Sequence, residues 1–265
     1  MAAFRAKHPV LLFFLAAYGF SWLIWLPLVA DTAGWIRVPW SHFHMQQIGA
    51  FGPSLMAVLI AGQGRKGLLK SAIHWRVHPG LYLVALVGPA AYMVAGRSLH
   101  SLMGGALAPN PAVSTGVIIT TFIFQLLYGG PLAEELGWRG YALPRMQARM
   151  GFWGASCTLG AVWALWHLPL FFVRGSAQYG TSFIGFLLTG VGLSVLIGWV
   201  FNAARGSVLL TLLTHAGVNT AASFILIAPA GGQNNGPFFW TLALVGVTIL
   251  VSAVRTRISR RKLAA

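Results

Sequence analysis

Acid is almost missing from this chain. Asp31, Glu134 and Glu135 are its only carboxylates, set against 18 lysines and arginines in 265 residues, for a formal net charge of +15. Charged residues of both signs make up 8% of the sequence, where a soluble domain carries about 25%. So few charges cannot cover the surface of a water-soluble globule of this length. Cysteine is scarcer still: Cys157 stands alone, which excludes an internal disulfide and any cysteine-rich zinc framework. Low-complexity linkers and internal repeats are lacking too, so nothing marks a boundary between domains.

What is present is apolar: 57% of residues are hydrophobic. At about 20 residues per spanning helix, the sequence reads as all-α, a single integral membrane domain over residues 1–265. Eight spans are expected, near 10–30, 46–62, 81–102, 114–137, 152–173, 181–203, 207–228 and 237–254. Pro53, Pro89 and Pro169 fall inside spans, where membrane helices tolerate them. The run over 10–30 follows Arg5 and Lys7 but exceeds the roughly 7 to 15 apolar residues of a secretory signal core, so a retained first helix is expected. Gly185, Gly190, Gly192 and Gly198 on the sixth span favour close helix approach.

Eight spans put both termini on one side. Fifteen of the eighteen bases then share that side, from Arg5 and Lys7 through the segments 65–76, 139–149 and 205 to 255–262, and only Arg37, Arg97 and Arg174 take the other. Lysine and arginine accumulate in cytoplasmic loops, so both termini of this multi-pass cell-membrane protein are expected in the cytoplasm. The same distribution argues against a nucleic-acid partner, because the charge is divided among loops instead of lining one groove. Membrane lipid is the partner it fits.

A carboxylate at membrane depth costs several kcal/mol unless paired or wet, and the two glutamates are adjacent within or at the inner end of the fourth span. Their plainest role is to cap that span and balance Arg139. Neighbours on a helix point about 100° apart, while residues four apart share a face. Glu135 and Arg139 therefore pair in the favourable order, and Glu134 is left to face elsewhere.

Histidine gives a second asymmetry. His8, His42, His44, His74, His78 and His100 fall in or beside loops and tails, whereas His167 and His215 lie within apolar spans. One such histidine is more often an interhelical hydrogen bond than a catalyst; two of them beside unexplained acids point to a shared site. Trp163 lies one turn from His167 and Asn219 one turn from His215, so each pair shares a helix face. Carboxylate, imidazoles and carboxamide together suit hydrolysis, with Glu134 taking a proton from water and neutral donors holding an oxyanion. Two histidines and an oxygen ligand also form an ordinary zinc set. A divalent metal such as Zn2+ held by His167 and His215 stays open, as does a metal-free glutamate mechanism. Depth is the difficulty: His215 lies about 12 Å and His167 about 22 Å from the inner edges of their spans, with Glu134 near an inner end.

Glu134-Glu135-Leu136-Gly137-Trp138-Arg139 resembles the EExxxR motif of the CPBP family, the CAAX proteases and bacteriocin-processing enzymes. Trp163-Ala164-Leu165-Trp166-His167 resembles its FxxxH motif, and His215-Ala216-Gly217-Val218-Asn219 its HxxxN motif. The order and spacing match a catalytic core over about 115–225. The resemblance implies an intramembrane endopeptidase of the type II CAAX prenyl protease kind, sometimes described as metalloprotease-like, whose water-accessible cavity opens toward the cytoplasm. By that analogy Glu134 and His167 activate water, His215 and Asn219 hold the oxyanion, and Glu135 and Arg139 support them. Trp163 stands where the family usually has Phe, an exchange of large aromatics expected to do little damage. Substrates associated with the family are membrane-associated peptides or proteins, prenylated CAAX-type peptides and peptide leaders among them. Two other readings remain: a transporter using the buried glutamates and histidines for protons or cations, and a non-catalytic membrane adaptor.

Overall fold

Apolar side chains on all faces and serines at the starts of the runs build a bundle of helices in the computed structural model, which describes residues 7–225 apart from 106 and 108. The expected eighth span, 237–254, lies outside the described residues. Among the described residues every regular element is helical. These are α1 (Pro9–Thr32), α2 (His42–Ala50), α3 (Gly52–Ile60), α4 (Arg65–Ser71), α5 (Pro79–Leu102), α6 (Thr115–Tyr128) and α7 (Pro131–Glu135). A π-helical turn (Leu136–Ala142), α8 (Leu143–Trp166), a 3-10 turn (Leu168–Phe172), α9 (Phe183–Ala203) and α10 (Val208–Phe224) follow, and a further 3-10 turn (Gly62–Gly64) joins α3 to α4. Serine side chains cap the amides that have no intrahelical partner: Ser114 accepts from Val117, Ser182 from Gly185 and Ser207 from Leu210.

Four helical stretches are long and apolar enough to cross a membrane, or five if the bent pair His42–Ile60 and Gly62–Ser71 is one span. The described residues do not establish the expected eight, and the expected spans depart from simple helices for local reasons. The expected second span turns through 110° after Ile60. The fourth and fifth belong to one helical run of 58 residues, Thr115–Phe172, which at 1.5 Å per residue is far longer than a hydrocarbon layer of about 30 Å. Glycines in left-handed geometry divide it, at Gly130 (φ 114°) and Gly151 (φ 69°). The seventh, α10, has only 17 residues.

Outward-facing side chains form an alkane surface. Leu15, Leu23, Leu83, Ile119 and Leu188 are exposed, which water would penalise and lipid does not. Where lipid faces both ways, packing rests on close backbone approach. A β-carbon on Gly160 of α8 would lie 2.6 Å from the Cα of Val191 on α9 and 2.9 Å from the carbonyl of Gly190. Gly160→Val is therefore expected to cost about 1–3 kcal/mol through overpacking, read as a lower thermal midpoint and yield in detergent; wild-type values would show that this seam can part.

The helix directions fix the two ends of the bundle. At its start α1 places Phe13 against Trp138 and Tyr141, and at its finish it places Trp25 against Trp166. There Thr32 Oγ1 accepts the backbone N–H of Arg174. The Tyr141 end also holds α4, whose Leu68 touches Gly140, and the junction where Ser207 donates to the carbonyl of His74. Arg65, Lys66, Lys70, Arg76, Arg145, Arg149 and Arg205 thus gather at one end, with Arg37 and Arg174 at the other. Arg139, expected among the loop bases, is instead fully buried. Exposed Trp35 and Trp40 stand at the Arg37 end and exposed Trp75 at the opposite one, as interfacial indoles do.

Candidate active site

Glu134 owes its depth to a broken helix. α6 ends at Gly129, and Gly130 adopts φ 114° and ψ −46°, open to glycine alone. Pro131 then restarts the helix as α7 at the position where a missing N–H costs nothing. A β-carbon on Gly130 would also lie 2.6 Å from Oε1 of Glu134. The carboxylate therefore sits beside a mid-depth break and not at the inner end of a continuous span, which removes the mismatch in depth with His215. Gly151 divides α8 before the segment that carries His167.

The two glutamates diverge as their helical offset requires. Oε1 of Glu135 accepts from Arg139 Nη1 at 2.7 Å, with both side chains 0% exposed. It is also 2.9 Å from Nδ1 of His215, a contact across 80 residues of sequence. Glu134, 4% exposed, turns the other way. Its Oε2 accepts from the indole N–H of Trp163 at 2.5 Å and from that of Trp138 at 3.3 Å. Two donors on one oxygen fix the plane of the carboxylate and leave Oε1 for another partner.

Trp163 joins the whole site. Its carbonyl is 2.9 Å from Nδ1 of His167, and since a carbonyl only accepts, Nδ1 carries the proton and the neutral ring offers Nε2 as a lone pair. Its ring lies 4.9 Å from Arg139 Cζ, in cation–π geometry. It also meets His215 edge to face at 5.3 Å. A phenylalanine has no N–H for Glu134, so the tryptophan here adds a hydrogen bond that the family's usual residue cannot make. Trp138 was not singled out in the sequence, although its i, i+4 offset from Glu134 was a signal for it. Gly129 was missed as well: its carbonyl, left without an intrahelical donor by the break, accepts from Nδ2 of Asn219 at 2.9 Å.

Glu134, Trp163, His167, His215 and Asn219 all line one cavity of about 640 Å³. Glu135 and Arg139 lie behind it and reach it through His215. As a metal site the donors do not fit. Among the described residues no three His, Cys, Asp or Glu side chains converge to hold an ion. What the set can do is position water against a carboxylate and an imidazole, opposite a carboxamide and a second imidazole.

The cavity extends from Glu134 toward Phe43, Gln46 and Gln47 on α2 and to Gln178, Thr181 and Ser182 between α8 and α9. That is the Arg37 and Arg174 end.

Residues 115–221 match the family model described as type II CAAX prenyl endopeptidase Rce1-like. The chain is also 25% identical over 241 residues to CAAX prenyl protease 2 of Methanococcus maripaludis, covering 83% of this chain and 86% of that protein. The motif residues 134–139, 163–167 and 215–219 all fall inside the matched region. The resemblance carried by those three motifs is borne out.

Proposed function

We propose that this chain, a relative of the CAAX proteases of the CPBP family, is an intramembrane endopeptidase that hydrolyses peptide bonds of membrane-associated substrates with a water activated by Glu134 and His167. The observation that carries this reading is the arrangement of Glu134, whose Oε2 is fixed by two indoles while Oε1 faces the same cavity as His167, His215 and Asn219. Water enters between Oε1 of Glu134 and Nε2 of His167. Glu134 takes its proton as the oxygen bonds to the scissile carbonyl carbon. The oxyanion is met by Asn219, whose second amide hydrogen remains after the first serves Gly129. In its doubly protonated form His215 assists through Nε2–H, with Nδ1–H on Glu135. The C–N bond then breaks, and the proton held by Glu134 passes to the leaving amine.

The reading supports a peptide or protein substrate within the membrane, and lipidated CAAX-type peptides remain the finer expectation that comes with the relatives. Its test is a comparison of membrane-protein chain termini in cells producing the wild type or Glu134→Gln at matched levels. New termini present only with the wild type are expected. Identical termini in the two cultures would favour the transporter or adaptor instead.

Trp163→Phe separates orientation from bulk. Phenylalanine keeps the ring packing, so yield should stay near wild type. Losing a hydrogen bond to a buried charge, worth about 1.5–3 kcal/mol, should slow cleavage roughly tenfold to a hundredfold, in kcat more than in KM. An unchanged kcat would remove Trp163 from the positioning of Glu134.

A further inference from the structure

The imidazole of His167 is held from behind by a helix that lies outside the matched region 115–221. We infer that α1 is a working part of the active site, in which Trp22 and Tyr18 are positioning residues that fix the turn carrying His167 and so aim its Nε2. This rests on the peptidase reading for the role of His167 and adds the residues that place it.

The end of α8 leaves a carbonyl open. In an α-helix the carbonyl of one residue accepts from the N–H four residues on. Here Pro169 has no N–H to give to Leu165, and Leu170 gives its own to the carbonyl of His167 at 2.9 Å. The N–H of His167 in turn goes to Ala164, three residues back, at 3.1 Å. The chain thus tightens at His167 itself, and the carbonyl of Trp166 loses its intrahelical donor. A buried carbonyl left unpaired is costly. The indole N–H of Trp22 meets this one at 2.9 Å, across 144 residues of sequence.

One turn earlier on α1, the hydroxyl of Tyr18 donates to the carbonyl of Val162 at 2.5 Å. The next carbonyl along, that of Trp163, holds Nδ1 of His167. Trp25, which with Trp166 and His167 lines the cavity, packs its ring 4.7 Å from that of Trp166. Trp166 then meets His167 edge to face at 4.7 Å, and Phe186 meets it from α9 at 5.1 Å. Tyr18, Trp22 and Trp25 are offset by four and three residues, so one face of α1 serves all three contacts. Its two hydrogen bonds bracket the carbonyl that anchors the imidazole. If they were lost, the turn could shift and carry Nε2 away from Oε1 of Glu134, and a misplacement of about 1 Å can cost about 10²-fold in rate.

Trp22→Phe tests this, because the ring that packs on Tyr18 stays and only the donor goes. Cleavage of a membrane-anchored peptide in proteoliposomes should slow about three- to tenfold, in kcat and not in KM. The Nδ1–H signal of His167, assigned by its loss in His167→Ala, should move in the nitrogen spectrum of isotopically labelled histidine. Ser21→Ala is the control: it removes another α1 hydrogen bond, to the carbonyl of Gly49 on α2 at 2.7 Å, and should lower the thermal midpoint while leaving kcat and the His167 signal as in the wild type. Tyr18→Phe, which removes a single oxygen, makes the same test should Trp22→Phe accumulate poorly. A wild-type kcat, an unmoved His167 signal, or equal losses of kcat in Trp22→Phe and Ser21→Ala would each overturn the inference. A wild type that cleaves nothing would sink the peptidase reading instead, while a moved His167 signal would still support the hold of α1 on the ring.

Discussion

Glu134→Gln is expected to leave a folded protein that no longer cleaves. The carboxamide is isosteric with the carboxylate, and its oxygen still accepts from the indoles of Trp163 and Trp138, which hold Oε2 at 2.5 and 3.3 Å. Yield and thermal midpoint should therefore match the wild type. The base is gone, however, and proton transfer by a positioned side chain contributes about 10²–10⁴-fold. Single-turnover cleavage of a fluorogenic peptide in proteoliposomes should fall by about 10³-fold. Glu134→Asp should fall between the two, because a shorter side chain keeps the charge but loses its reach to both indoles. Retention of more than about a tenth of wild-type activity by Glu134→Gln would transfer the role of base to His167 alone.

The second large effect is on stability. Arg139→Ala leaves Glu135 ionised at 0% exposure with His215 as its remaining partner. Breaking a buried pair from one side costs about 3–5 kcal/mol, so the variant should accumulate poorly and melt early. His215→Ala should accumulate normally, since Glu135 keeps Arg139, yet it should cleave slowly because the oxyanion loses a donor. Replacing both members, Glu135→Leu with Arg139→Met, should recover yield, because a matched apolar pair carries no stranded charge. It should not recover activity, because Nδ1 of His215 then has no carboxylate. Thermal midpoints and cleavage rates for the four proteins check this. Equal yields for Arg139→Ala and His215→Ala would count against the division between support and chemistry.

These residues also show how far the sequence could be read. Helical offsets were dependable: the Glu135–Arg139 pair and the edge-to-face contact of Trp163 with His167 follow from an offset of four along one helix, and the divergence of Glu134 from that of adjacent residues. Contacts between helices were not legible. That His215 grips Glu135 depends on how α10 meets α7, which no local pattern encodes. Where the helices break was hidden for a related reason. Hydropathy sums apolar length but does not register a glycine at positive φ, so Gly130 broke what looked like one continuous span over 114–137.

Asn219 carries a consequence of a different kind. The carboxamide that faces the substrate also closes the open carbonyl of Gly129, so one residue answers to two kinds of selection. A change to Asp would keep the size and lose the donor; a change to Gln would keep the donor and overreach the gap; a change to Ala would leave a carbonyl bare at membrane depth. Each alternative damages the scaffold and the chemistry together, so no sequence of small steps can trade one for the other. In a saturation library scored separately for abundance and for cleavage, the two scores should fall together at this position, and they should part company at Glu134.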